Sequence, residues 1–102
     1  MPQFRQIYWG RHMGRLKLTF TSPFIRSYST VVITVSEGNE GNTTNPNVRF
    51  VGNANIRVEN IAPVDGRVVF VVSVDWFEPL PIWTDLVIFS EEIPRFIRVP
   101  GA

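Results

Sequence analysis

Asp75 and Glu78 stand on either side of Trp76-Phe77, and this short run holds residues well suited to chemistry. Two carboxylates beside aromatic rings are what a glycosidase uses across the scissile bond of a sugar. Such enzymes need a deep cleft on a larger scaffold, so solvated loop charges are the better reading of this pair. The single histidine, His12, lies in Trp9-Gly-Arg-His-Met-Gly14, between glycines that signal a turn. One histidine without cysteine makes a poor zinc site. No serine lies in a nucleophile elbow that would give His12 a partner, so it reads as an exposed loop residue. Glu37, Asn39, Glu40 and Asn42 gather the hard oxygen donors that calcium takes, but without EF-hand spacing. Asn42-Thr43-Thr44 matches a glycosylation acceptor, a pattern of low specificity. Gly38 and Gly41 do not lead from a strand into a helix, so no phosphate loop is expected. These residues give no catalytic site, no metal and no cofactor.

The aromatic surface of the same region is harder to dismiss. Trp76, Phe77, Pro79, Leu80, Pro81 and Trp83 crowd a stretch between two β-rich segments, more apolar surface than a turn needs. Rings of this kind close over the apolar face of a sugar while polar neighbours take its hydroxyls. Sites of that sort are shallow, with few convergent polar groups. Tryptophan is equally suited to a core lid or a protein–protein contact. Residue types alone leave the two open.

The elements that must position these residues are strands. Hydrophobic residues make up 44% of 102, enough for one folded domain around a single core. Ten Lys+Arg against nine Asp+Glu give a formal charge of +1, which is no footprint for nucleic acid. There is no cysteine, and so no disulfide framework or thiolate metal site. The first ten residues contain no apolar run of signal-peptide length. No stretch approaches the ~18 apolar residues of a membrane-spanning helix, so no membrane insertion is expected. The cellular location stays open.

Valine and isoleucine alternate with polar residues between closely spaced turn signals, and no long segment has helical periodicity. Strands are expected over residues 3–9, 16–21, 30–36, 48–51, 55–61, 68–75 and 85–90, with a further one over 96–99. Leu16, Leu18 and Phe20 face one way while Arg15, Lys17 and Thr19 face the other, as in a half-exposed antiparallel strand. Val31, Ile33 and Val35 form one apolar face. Residues 68–74 are apolar on both faces, which predicts cover on both sides, either from a neighbouring chain or from a central place in a sandwich. Residues 37–47 form a long polar loop, of the length at which loops tend to be functional or mobile. Residues 63–66 carry an Asp-Gly turn signal. The fold class is therefore all-β, an antiparallel β-sandwich of six and up to eight strands, in a single domain over residues 1–102.

Three segments resemble the H-type lectin family, the group of the snail agglutinin and the discoidin C-terminal domain. The first is Leu18-Thr-Phe-Thr-Ser-Pro-Phe24 with Val31-Val-Ile-Thr-Val35. The second is Asn47-Val-Arg-Phe-Val51 or Asn55-Ile-Arg-Val58, with Asn60-Ile-Ala-Pro-Val-Asp-Gly66. The third is Asp75-Trp76 with Ile82-Trp83 and Leu86-Val-Ile-Phe89. The resemblance implies a six-stranded sandwich assembled as a trimer, in some members a hexamer. It also implies non-catalytic binding of a glycan of the galactose or N-acetylgalactosamine type between adjacent chains. Trp76 matches the family's site tryptophan, and Trp83 a tyrosine position near the site. Phe77 stands where the snail agglutinin has a histidine. The family's sugar-binding arginine falls on Arg49 by pattern, whereas counting back from Pro63 without a gap puts Asn53 there. The family's acidic acceptor has no counterpart, since residues 8–14 contain no carboxylate. The resemblance thus implies Trp76 as platform, Arg49 as donor, and Phe77 and Trp83 as walls, with Asn53 as the alternative polar group. The same fold without a working sugar site would serve instead as a structural trimerisation or attachment module of a phage or virion assembly.

Overall fold

A computed structural model describes residues 2–40, 48–91 and 97–101. Strands β1 (Gln3–His12), β2 (Gly14–Thr21), β3 (Thr30–Gly38), β4 (Arg49–Phe50), β5 (Asn55–Val64), β6 (Arg67–Asp75) and β7 (Leu80–Phe89) form two antiparallel sheets. One sheet has the order β1-β7-β3-β4 and the other β2-β6-β5. The protein is all-β, and the seven strands among the described residues fall within the expected six to eight.

The core lies where β6 faces β7 and β3. Val68, Phe70 and Val72 are fully buried, as are Ile82 and Ile88, with Leu86 at 1%. Val31 and Ile33 close the same core from β3. Leu16, Leu18 and Phe20 pack against it from β2, on the face their alternation predicts. Trp9 meets Phe70 edge-on, with ring centroids 5.9 Å apart, and its indole N–H donates to Thr84 Oγ1 at 2.7 Å. Thr84 is fully buried, so this bond removes an otherwise unsatisfied hydroxyl from the core.

The doubly apolar β6 is the central strand of its sheet. Its outward residues are lined by this chain's own neighbours: Val71 lies between Lys17 and Glu59, and Val69 between Thr19 and Ala62. Side chains directly opposite on one face are within contact range. These neighbours leave Val69 and Val71 half-buried, so the outer face of β6 is covered only in part within this chain.

Several boundaries moved. β7 begins at Leu80 rather than at residue 85, so the aromatic loop shrinks to residues 76–79. Pro79 and Pro81 read as loop signals, yet proline is tolerated at the start of a strand, and Pro81 already pairs with Arg11. The expected turn around His12 reduces to Met13, and His12 ends β1, half-buried, with Nε2 2.6 Å from the Trp9 carbonyl oxygen. Gly10 (φ 88) lies where the β1–β7 register shifts, and Asn60 (φ 52) where the β5–β6 register does. Both mark β-bulges, and asparagine is among the few side chains that tolerate that backbone region. Of the segment expected at 96–99, Phe96 lies outside the described residues and 97–99 form no strand.

The end of the sandwich nearest the Asp-Gly turn is closed by residues 22–29. Ile25 is fully buried there. The Gly66 amide donates to the Ile25 carbonyl at 2.8 Å, and the Ser22 amide donates to the Gly66 carbonyl at 3.0 Å. Asp65 Oδ1 accepts the Ser27 amide at 2.9 Å. The turn thus ties the β2–β3 crossover to the β5–β6 hairpin.

On the outer face of the three-stranded sheet, the Ser73 hydroxyl donates to Glu59, and Arg15 Nε lies 3.7 Å from the same carboxylate. The Ser73 hydrogen bond, with smaller help from Arg15 and Arg57, holds the Glu59 carboxyl below its ordinary value. A depressed folded-state pKa adds stability above the unfolded-state value, and that stability is lost as pH falls through the folded value. Ser73→Ala is expected to raise the Glu59 titration midpoint, read by NMR, and to flatten the acid limb of stability against pH. An unchanged midpoint would show that the hydroxyl is not the cause.

Candidate functional site

The expected site residues fall into separate groups. Trp76 and Phe77 open the β6–β7 connection, where β6 hands the chain over to the other sheet. Trp76 packs against the core, half-buried. Phe77 is 75% exposed, with its ring 4.8 Å from that of Trp76 and tilted by 36°. An exposed ring backed by a core-anchored indole is a small apolar platform. Asp75 and Glu78, the flanking carboxylates, are both exposed.

Arg49 and Trp83 belong to the outer face of the four-stranded sheet, on β4 and β7. The Arg49 guanidinium carbon lies 5.5 Å from the Trp83 ring centroid, a cation–π distance. Its Nη2 donates to Asp85 Oδ1 at 2.7 Å, and Gln6 Nε2 lies 3.3 Å from the same oxygen. Tyr8 covers Trp83 from β1 at a ring distance of 5.1 Å, and the Trp83 indole N–H donates to the Asn39 carbonyl at 2.7 Å. Trp83 is consequently only 4% exposed. It is a covered ring under Tyr8 and Arg49 rather than an open wall of a sugar site.

Register explains this arrangement. Trp83 is directly opposite Tyr8 on one side and Ser36 on the other, so the three side chains share one face. Asp85 is opposite Gln6 and Thr34 in the next row. Arg49 reaches over that row from β4, which pairs with the end of β3 through Glu37↔Phe50 and Gly38↔Arg49. Gly38 makes the approach possible: a Cβ there would lie 2.5 Å from the Val48 carbonyl oxygen and 2.9 Å from Trp83 Cδ1. Asn53 sits exposed in the bend between β4 and β5.

The structure therefore joins Trp76 to Phe77 and Arg49 to Trp83. It shows no contact of Asn53 with either pair. Residues that sequence reasoning did not single out do much of the positioning. Asp85 and Tyr8 hold Arg49 and Trp83, while Arg11 pairs with Glu40 beside the loop that follows β3. Alternation could give Tyr8 a strand face, but Trp83 stood in the loop expected before residue 85, so no face could be assigned to it until β7 was seen to begin at Leu80. The Glu40 carboxylate raises the Arg11 pKa further above its ordinary value, chiefly by hydrogen bonding and then by charge.

Among the described residues, no group of three or more His, Cys, Asp or Glu side chains is placed to hold a metal ion. Asn42 and Gly41 of the calcium, glycosylation and phosphate-loop readings lie outside the described residues. Among the described residues, no helix is long and apolar enough to cross a membrane. Two surface depressions lie away from Trp76. One, of about 200 Å³, is lined by Val35, Glu37, Phe50, Val51, Ala54 and Ile56. The other, of about 270 Å³, is lined by Phe4, Gln6, Asp85 and Val87 on the outer face of the four-stranded sheet.

The class these features define is an antiparallel four-on-three β-sandwich with an aromatic platform at one end and a closed Arg–Trp lock on one face. No protein-family model and no curated protein matches the chain. A solved structure, the P. aeruginosa R1 pyocin fiber comprising C-terminal residues 323–701, resembles it with a TM-score of 0.50 and 20% identity. The match covers 85% of this chain and 22% of that one. At that identity the likeness is one of fold, and this chain spans under a quarter of the fibre fragment's length.

Gly38→Ala is expected to destabilise the protein by roughly 1–3 kcal/mol, the range of an overpacked contact. Loss of the near-ultraviolet signal of Trp83 should accompany the drop in denaturation midpoint. A variant with unchanged midpoint and spectrum would show that the lock does not depend on the close approach.

Proposed function

We propose that this domain is a non-catalytic structural module of a fibre-type or virion attachment assembly, working as several copies together. The observation that carries the reading is the fold likeness to a piece of the pyocin fiber over 85% of the chain. The site geometry leans the same way. Arg49, which would have to donate to sugar hydroxyls, is engaged by Asp85, and Trp83 is covered. The ion pair and the Trp83 ring hold Arg49 on the outer face of the four-stranded sheet, in a different group from Trp76 and Phe77. A trimer is the assembly we favour, as the family resemblance also implies. Light scattering should then give a mass near three times the 11.7 kDa of one chain. A monomer at every concentration would overturn the reading.

A second reading keeps carbohydrate binding of the H-type lectin kind, now centred on Trp76 and Phe77 alone. The observation in its favour is the 75% exposure of Phe77 with its ring against that of a core-anchored tryptophan, which together present an aromatic surface. Binding at each site would be weak and would depend on multivalency. Phe77→Ala should change stability by no more than about 0.5 kcal/mol, as an exposed substitution does. It should abolish binding to galactose-type glycans on an array; binding by the wild type that survives the substitution would rule out this platform.

A further inference from the structure

The cleft between the end of β3, β4 and the start of β5 combines features that a packed surface seldom leaves together. Its walls are Val35, Phe50, Val51, Ala54 and Ile56, and among them sits the Glu37 carboxylate. Glu37 is half-buried, and it makes no hydrogen bond or ion pair among the described residues. Gly52 is the reason the carboxylate can sit there: a Cβ on Gly52 would lie 2.5 Å from Glu37 Oε1. Phe50 is 46% exposed and Val51 fully so.

An acid among apolar walls is costly unless a cation answers it. The volume, about 200 Å³, falls below the ~300–1,000 Å³ of small-molecule pockets. It suits one side chain. The side chains with an apolar stem and a cationic head are lysine and arginine.

The outer face of the three-stranded sheet offers such cations. Arg15, Lys17, Arg57 and Arg67 all point outward there, from the register of β2, β5 and β6. Arg15 and Arg57 act on Glu59. Lys17 and Arg67 are both exposed and make no ion pair or hydrogen bond among the described residues; Arg67 stands at the first residue of β6, whereas Lys17 stands mid-strand beside the half-buried apolar Val71, where a second chain would have apolar surface to cover. Among the described residues, Glu37 is thus an acid without an ion pair in an apolar cleft, and Lys17 a cation without one on a different face.

We infer that the Glu37 cleft is an inter-chain socket that receives the Lys17 side chain of a second copy of this chain. The Lys17 stem packs against Phe50, Val51 and Ile56, and its ammonium group donates to the Glu37 carboxylate. Because socket and plug are different surfaces, the contact is heterologous, and repetition closes it into a ring when the rotation allows. This rests on the multi-copy reading above and supplies its contact.

Charge exchange tests it. Wild type, Glu37→Lys, Lys17→Glu and the Glu37→Lys/Lys17→Glu double variant are compared by light scattering over a dilution series, with far-ultraviolet circular dichroism as the folding control. Each single variant should dissociate at concentrations at least tenfold above the wild-type midpoint, and the double variant should recover association. Glu37→Gln, which keeps the shape and drops the charge, should fall between and serves if Glu37→Lys does not fold. Single variants that associate like wild type, or a folded double variant that stays dissociated, would overturn the socket while leaving the multi-copy reading standing. A monomeric wild type would overturn both.

Discussion

The inner face of β6 must be kept from water, and the rest of the molecule is arranged around that need. Val68, Phe70, Val72 and Val74 form a continuous apolar row at the middle of a three-stranded sheet. Burying a side chain of this size is worth about 1.5–3 kcal/mol, and a strand cannot obtain it alone. A second sheet has to lie over the row, and β7 does so with Ile82, Leu86 and Ile88, flanked by β1 and β3. The crossover at 22–29 then has to plug the open end of the sandwich, which Ile25 does. The polar features of the core follow as repairs. Thr84 sits in the apolar layer and is satisfied by Trp9, and the Gly66 backbone is satisfied by the crossover it touches.

With the inner faces spent on the core, function falls to the ends and the outer faces. The outer face of the four-stranded sheet is closed at one point by Arg49 over Trp83, and open at another, where Phe4 is 68% and Val32 48% exposed. The outer face of the other sheet is charged and hydroxylic around Glu59 and Ser73. One end carries Phe77 on its tryptophan support. The described residues therefore present several chemically distinct exposed surfaces on one scaffold. That is the physical sense in which the fibre-like reading and the sugar-platform reading are close relatives: both use exposed side chains on a rigid scaffold.

Much of the scaffold was legible in the sequence. The alternation of Leu16, Leu18 and Phe20 named the buried face of β2, and Asp65-Gly66 named the β5–β6 turn. Period-two patterns carry that information because successive side chains point to opposite faces. Pro79 and Pro81 misled at the start of β7, where turn chemistry suggested a longer loop. The doubly apolar β6 was ambiguous for a sound reason: alternation shows that both faces are apolar but not what lies over the outer one.

The candidate site was legible only as residue types. Trp76, Phe77, Arg49 and Trp83 are the residues a sugar site would use, and sequence order could not show that they divide between a loop at one end and a sheet face. What the sequence determined by itself was the all-β class, the strand faces and the supply of aromatic surface, because these follow from local alternation and composition. What the tertiary structure alone decided was which aromatic surface remains available. Trp83 is covered because cross-strand register places it opposite Tyr8 and because β4 brings Arg49 across it, and register between strands distant in sequence is set by the packing of the whole core. Phe77 is bare because, among the described residues, no strand pairs with the 76–79 connection that carries it.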